Sequence, residues 1–190
     1  MKKFISIILT VIFCVASISA KQQKYIESDN VDVSGNRTVL SKDETLYTSN
    51  GGFMTKHRLV AKINEAGDTT FFLMIRFNGN KMTMEEGSLL LLKLGNGKNI
   101  ELKSNRVGPE DIDFVSTMIG STYFVNGLYE ITEEQIQEIL ESDVTKIRVQ
   151  WSGGTFDKEI KKQALSKMLS KAYPAIKAVL AENKTIYDDF

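Results

Sequence analysis

The segment that most constrains this chain is Ser88–Lys103. Two apolar runs, Ser88–Leu94 and Lys98–Lys103, flank Gly95-Asn96-Gly97. An Asn-Gly pair between such runs permits the positive φ angles that a tight hairpin turn demands. The spacing therefore predicts an antiparallel hairpin with Ile100 and Leu102 inward and Glu101 and Lys103 outward. A chain that nucleates such a hairpin must cover its apolar face with more sheet or with helix.

The rest of the chain supplies both. Arg37–Leu40 and Thr45–Thr48 read as short strands, and Ser49-Asn50-Gly51-Gly52 reads as a turn. His57–Ile63 alternates, with His57, Leu59, Ala61 and Ile63 on one face. Ala66-Gly67-Asp68 turns the chain into Thr69–Phe77, whose apolar residues on both faces predict a central strand. Residues 104–120 read as a loop. Thr122–Ile131 reads as a strand with a bulge at Gly127. Thr132-Glu133-Glu134-Gln135 matches a capping box, which starts a short helix with Ile136, Ile139 and Leu140 on its apolar face. Val144–Trp151 alternates with Ile147, Val149 and Trp151 inward and Lys146, Arg148 and Gln150 outward. From Lys158 the period becomes 3.6 and predicts a helix over 158–183, kinked or restarted at Pro174.

The fold class expected is mainly β (α+β). It is a β-sandwich-like domain of about eight strands, with a short helix and a C-terminal helix packed on the sheets. One domain is expected over 37–190, preceded by a polar lead-in over 21–36.

Residues 1–20 read as a secretory signal peptide: Lys2 and Lys3, then the uncharged stretch Phe4–Ala16, then Ser17, Ser19 and Ala20. The apolar stretch is shorter than the roughly 20 residues of a membrane-spanning helix, so no span is expected after cleavage following Ser19 or Ala20. Cys14 follows Phe13, too large a residue for a lipoprotein signal. Cleavage removes the only cysteine, which leaves neither disulfide nor thiolate chemistry. It also removes Lys2 and Lys3, leaving 22 basic against 24 acidic residues, a net charge of −2. That balance gives no electrostatic case for nucleic acid and no polybasic segment for anionic lipid.

Candidate sites are few. His57, the only histidine, would have to serve any Ser-His or Cys-His site, and its neighbours predict a surface or strand-end position. Glu110, Asp111 and Asp113 offer hard oxygen ligands to Ca2+, without the spacing of an EF-hand; no other cofactor is indicated. Glu101 and Glu130 are candidates for a carboxylate pair of the kind that hydrolyses sugars. Tyr123, Phe124, Tyr129 and Trp151 are candidates for a face that binds a protein or carbohydrate partner, although aromatic residues are also good strand formers.

Three stretches taken together carry a resemblance: Gly87-Ser-Leu-Leu-Leu-Leu-Lys-Leu-Gly-Asn-Gly-Lys-Asn-Ile-Glu-Leu102, Ile131-Thr-Glu-Glu-Gln135, and Val144-Thr-Lys-Ile-Arg-Val-Gln-Trp151 with Phe156-Asp-Lys-Glu159. Over residues 55–180 the chain resembles small exported proteins of Bacteroides-type bacteria that have no assigned function. The resemblance implies a periplasmic or cell-surface location and carries no catalytic residue. The functional expectation is a non-enzymatic binding or interaction module. The alternatives are a carboxylate-based hydrolase and an assembly protein that docks through its C-terminal helix.

Overall fold

The computed structural model describes residues 23–48, 54–78, 86–105, 112–117, 120–151, 154–182 and 184. The fold is mainly β, with two antiparallel sheets and a C-terminal helix in a sandwich-like arrangement. The larger sheet contains β1 (Ile26–Val31), β2 (Arg37–Ser41), β3 (Glu44–Thr48), β4 (Met54–Ile63), β5 (Thr69–Asn78), β8 (Ile112–Thr117) and β9 (Gly120–Glu130). Its order is β1-β2-β4-β5-β9-β8, with β3 also paired to β4. The smaller sheet has the order β11-β10-β6-β7, from β6 (Leu89–Leu94), β7 (Asn99–Lys103), β10 (Val144–Trp151) and β11 (Gly154–Glu159). Helix α1 (Glu133–Glu141) joins β9 to β10, and α2 (Ala164–Leu180) follows β11.

The inner faces form one core. Val39, Leu59, Leu73, Ile75 and Tyr129 meet Leu90, Leu92, Ile147 and Val149 of the other sheet. Leu165, Met168, Leu169, Ala172 and Ile176 of α2 and Ile136 and Ile139 of α1 complete it. The two sheets are stitched at one corner, where Ser104 bridges Tyr129 and Asn105 N–H donates to the Leu128 carbonyl at 2.8 Å. Strand β4 is long enough to pair with β3 over its first half and β2 over its second. At the changeover the Leu59 N–H donates to Ser41 Oγ at 2.9 Å, so a side chain fills the break in the ladder.

Eleven strands stand among the described residues where about eight were expected, and each of the three additional ones lies at an edge of its sheet. β1 falls in the polar lead-in; it is an edge strand, paired only with β2, and needs no apolar alternation. β8 lies in the segment read as a loop and pairs with β9 from Ile112 to Thr117. β11 occupies Gly154–Glu159 and so overlaps the start of the helix expected from Lys158. Its Phe156 packs on the core and stacks on Tyr47 with centroids 6.3 Å apart. The C-terminal helix consequently starts at Ala164 and not at Lys158.

Two local geometries also differ. The β6–β7 connection is a three-residue loop. Gly97 N–H donates to the Leu94 carbonyl at 3.0 Å, and Leu94 N–H donates to the Lys98 carbonyl at 2.8 Å. Gly97 alone in this loop has positive φ, at 89°. This is a turn closed by a left-handed glycine, not a two-residue Asn-Gly turn. Gly127 is not a bulge: its register runs unbroken opposite Ile75, on the same inward face as Val125 and Tyr129. Helix α2 passes through Pro174 without interruption. Pro174 and Ser170 are both exposed, so the carbonyl deprived of its donor faces solvent.

Candidate functional site

Because β10 is paired on both sides, its outward side chains fall into rows across the smaller sheet. One row reads Asp157, Arg148, Leu91, Glu101, and the next reads Glu159, Lys146, Lys93, Asn99. Arg148 grips Asp157 with both ends of its fork, Nε to Oδ1 at 2.6 Å and Nη2 to Oδ2 at 2.8 Å. Lys146 Nζ adds a contact to Oδ2 at 2.9 Å. Arg148, and then Lys146, hold the Asp157 carboxyl well below the usual carboxylate range. One carboxylate thus serves two cations, while Lys93 stands directly across from Lys146, an opposition of like charges that costs stability.

Two open grooves meet at Lys93 and Lys146. The first, of about 510 Å³, runs over Leu91 between Glu101 and Arg148. The second, of about 630 Å³, passes the α1–β10 turn at Ser142 and Asp143 and ends at Glu159 and Lys162. The β6–β7 loop is fixed against that turn. Gly95 N–H donates to the Asp143 carbonyl at 2.7 Å, and Asn96 N–H donates to Ser142 Oγ at 3.1 Å. Lys98 Nζ pairs with Glu138 at 2.5 Å. Asp143 in turn accepts a hydrogen bond from Ser166 of α2. The face is therefore a set of fixed donors and acceptors beside one aliphatic floor residue. It offers ion pairing and hydrogen bonding to an extended polar chain.

The residues singled out in the sequence are dispersed. Tyr129 belongs to the core, with 0% exposure, opposite Leu73, and burial pushes its hydroxyl well above the usual range; it offers no surface to a partner. Phe124 is half-buried beneath the Arg76 guanidinium, 4.4 Å from its ring centroid. Tyr123 is in register with Phe114, and Trp151 ends β10 opposite Gly154; their side chains lie outside the described ones. Glu110 and Asp111 lie outside the described residues, and Asp113 is placed only by its backbone in β8. Among the described residues no three His, Cys, Asp or Glu side chains converge to hold a metal. Glu101 projects from the smaller sheet, whereas Glu130 ends β9 of the larger one opposite Phe72; both are exposed, and neither described groove is lined by both.

His57 corrects its expectation most. It is not a surface or strand-end residue but is 1% exposed in the middle of β4. Nε2 lies 3.3 Å from the Ala164 carbonyl, and Nδ1 has no hydrogen-bond partner among the described residues. Burial pushes the imidazole down to about 4, against the opposing pull of the Ala164 carbonyl, Glu44 and Asp43. The Arg148, Lys146 and Asp157 cluster was the part that sequence reasoning missed. The alternation of Val144–Trp151 placed Lys146 and Arg148 outward, but only the register with β11 brings Asp157 to them.

Among the described residues no helix is long and apolar enough to cross a membrane. The chain matches no known family model, and no curated protein or solved structure is significantly similar to it.

Proposed function

We propose that this chain is an exported protein of the periplasm or cell surface that acts as a non-enzymatic binding module. On this reading it takes an extended segment of a protein partner on the open face of its smaller sheet. The supporting observation is the Asp157, Arg148 and Lys146 cluster, joined by ion pairs beside the Leu91 floor of an open groove. Such pre-arranged side chains lose little freedom on binding, and arginine is enriched among residues that anchor partners. Export is supported by the order of residues 2–20 and by the resemblance to exported Bacteroides-type proteins. A protein is favoured over a carbohydrate because the described groove is lined by charged and amide residues with Leu91 and Ile147, and no aromatic ring is among them.

The test is selection from a random peptide library on the purified chain, with a glycan array probed in parallel. Selected peptides should bind at least about tenfold more weakly to an Arg148→Glu variant, which reverses the charge beside Asp157. Peptide binding indifferent to that change, binding of glycans alone, or turnover in a hydrolase screen that a single polar substitution abolishes would each contradict the reading.

A further inference from the structure

Helix α2 begins without a cap. Gln163 precedes it in the left-handed region at φ 61° and makes no side-chain capping bond. The first turn carries no acidic residue, and Lys161 and Lys162 come just before it, the wrong charge for the positive end of a helix dipole. At this weakly terminated end the Ala164 carbonyl sits 3.3 Å from Nε2 of the buried His57.

We infer that His57 and the uncapped start of α2 form an acid-sensitive latch, in which a neutral imidazole holds the first turns of α2 on the larger sheet and a protonated one releases them. A neutral ring satisfies the site by donating Nε2–H to the Ala164 carbonyl. An imidazolium gains a second N–H at Nδ1, which makes no hydrogen bond among the described residues and has only the Glu44 backbone nearby to favour it, and it places a full charge in the core beside the positive end of the helix. The charged groups around it offer little relief. Glu44, in register with His57 on β3, is paired with Lys171 of α2 at 3.1 Å. Asp43 is held by Arg58 at 2.6 Å and by Lys56 at 3.6 Å, and Arg58 also contacts Glu27 at 3.1 Å. The remaining charge near the ring is Arg76 of β5, which lines with Asn126 and His57 a polar cavity of about 50 Å³. Protonation is therefore relieved chiefly by exposing the ring, which requires the start of α2 to lift and uncovers Leu165 and Met168.

His57 is the only histidine, so its ring proton signal in a tag-free chain is unambiguous. Nuclear magnetic resonance should show the imidazole neutral in the folded chain to below pH 5. Hydrogen exchange, corrected for intrinsic rates, should show amides of residues 164–170 losing up to about tenfold in protection per unit between pH 6.5 and 4.5. Amides of α1 and β5 should hold. In His57→Gln, which keeps a donor for Ala164 but does not titrate, that selective loss should vanish. A ring that titrates near 6.5 in the folded chain overturns the latch, as does an equal loss in His57→Gln. If the variant fails to fold, the ring titration and the confinement of lost protection to the start of α2 in the unaltered chain decide the matter.

Discussion

The two helices of this protein are anchored by opposite means. Helix α1 is specified by its own residues: Thr132 Oγ1 accepts the Gln135 N–H at 3.2 Å, and Gln135 Oε1 accepts the Thr132 N–H at 2.9 Å. Glu133 and Glu134 add the acidic first turn that the dipole favours. Helix α2 has none of this. Its start is uncapped, its buried stripe runs along the core, and its C-terminal end is held by a strand residue. The Arg37 guanidinium donates to the carbonyls of Val179 at 2.9 Å and Glu182 at 2.7 Å, and grips Asp29 with its other edge. Lys184 also reaches the Asp29 carbonyl. The contrast teaches that α1 is encoded locally and α2 by its docking. The two helices are tied to each other by Glu133, which accepts from Tyr173 and pairs with Lys177 at 3.1 Å.

The contrast can be broken most forcibly in the docked stripe. Leu169 is fully buried, and Leu169→Ala should cost about 2–5 kcal/mol, read as a lowered urea midpoint with an unchanged slope. A cost below about 1 kcal/mol would show that α2 does not depend on its packing. Next in size is Arg37→Ala, which strands the last carbonyls of α2 and the Asp29 carboxylate together. A loss of about 2 kcal/mol is expected, with increased exchange confined to the C-terminal turn of α2 and to β1. Exchange unchanged at both would remove Arg37 from its role as a clasp. Thr132→Ala should cost about 1 kcal/mol and fray α1 alone. Should α2 fray equally, the division between local and docked helices would be lost.

The same division explains what could be read from the sequence. The start of α1 was legible to the residue, because a capping box is a local pattern. The β6–β7 and β4–β5 hairpins and the inward Ile147 and Val149 of β10 were legible because alternation with turn residues is local too. The start of α2 was not: Ile160 and Ala164 fit a helical period, yet Ile160 is buried just beyond β11, with its N–H on the Thr145 carbonyl at 3.2 Å. Nothing near Lys158 marks a boundary, since the residue that begins the helix has no cap to announce it. The site was less legible still. Lys146 and Arg148 were placed outward, but Asp157 reached them only through pairing of β10 with β11, and His57 acquired its hydrogen-bond partner from α2, more than a hundred residues away along the chain.

The dependence of α2 on docking is tested most directly through stability against pH. The unfolded chain holds a proton on His57 below its ordinary 6.5, while the folded chain takes one only near 4. Between those values the unfolded state binds more protons, so stability is fully present above 6.5 and falls as the pH drops toward 4. The loss across that window is on the order of 3 kcal/mol, and carboxylates such as Asp157 contribute theirs only at lower pH. Urea unfolding of the purified chain and of His57→Gln, compared at pH 7 and pH 4.5, should show a large loss in the former that is absent from the latter. Parallel losses in the two proteins would contradict the account.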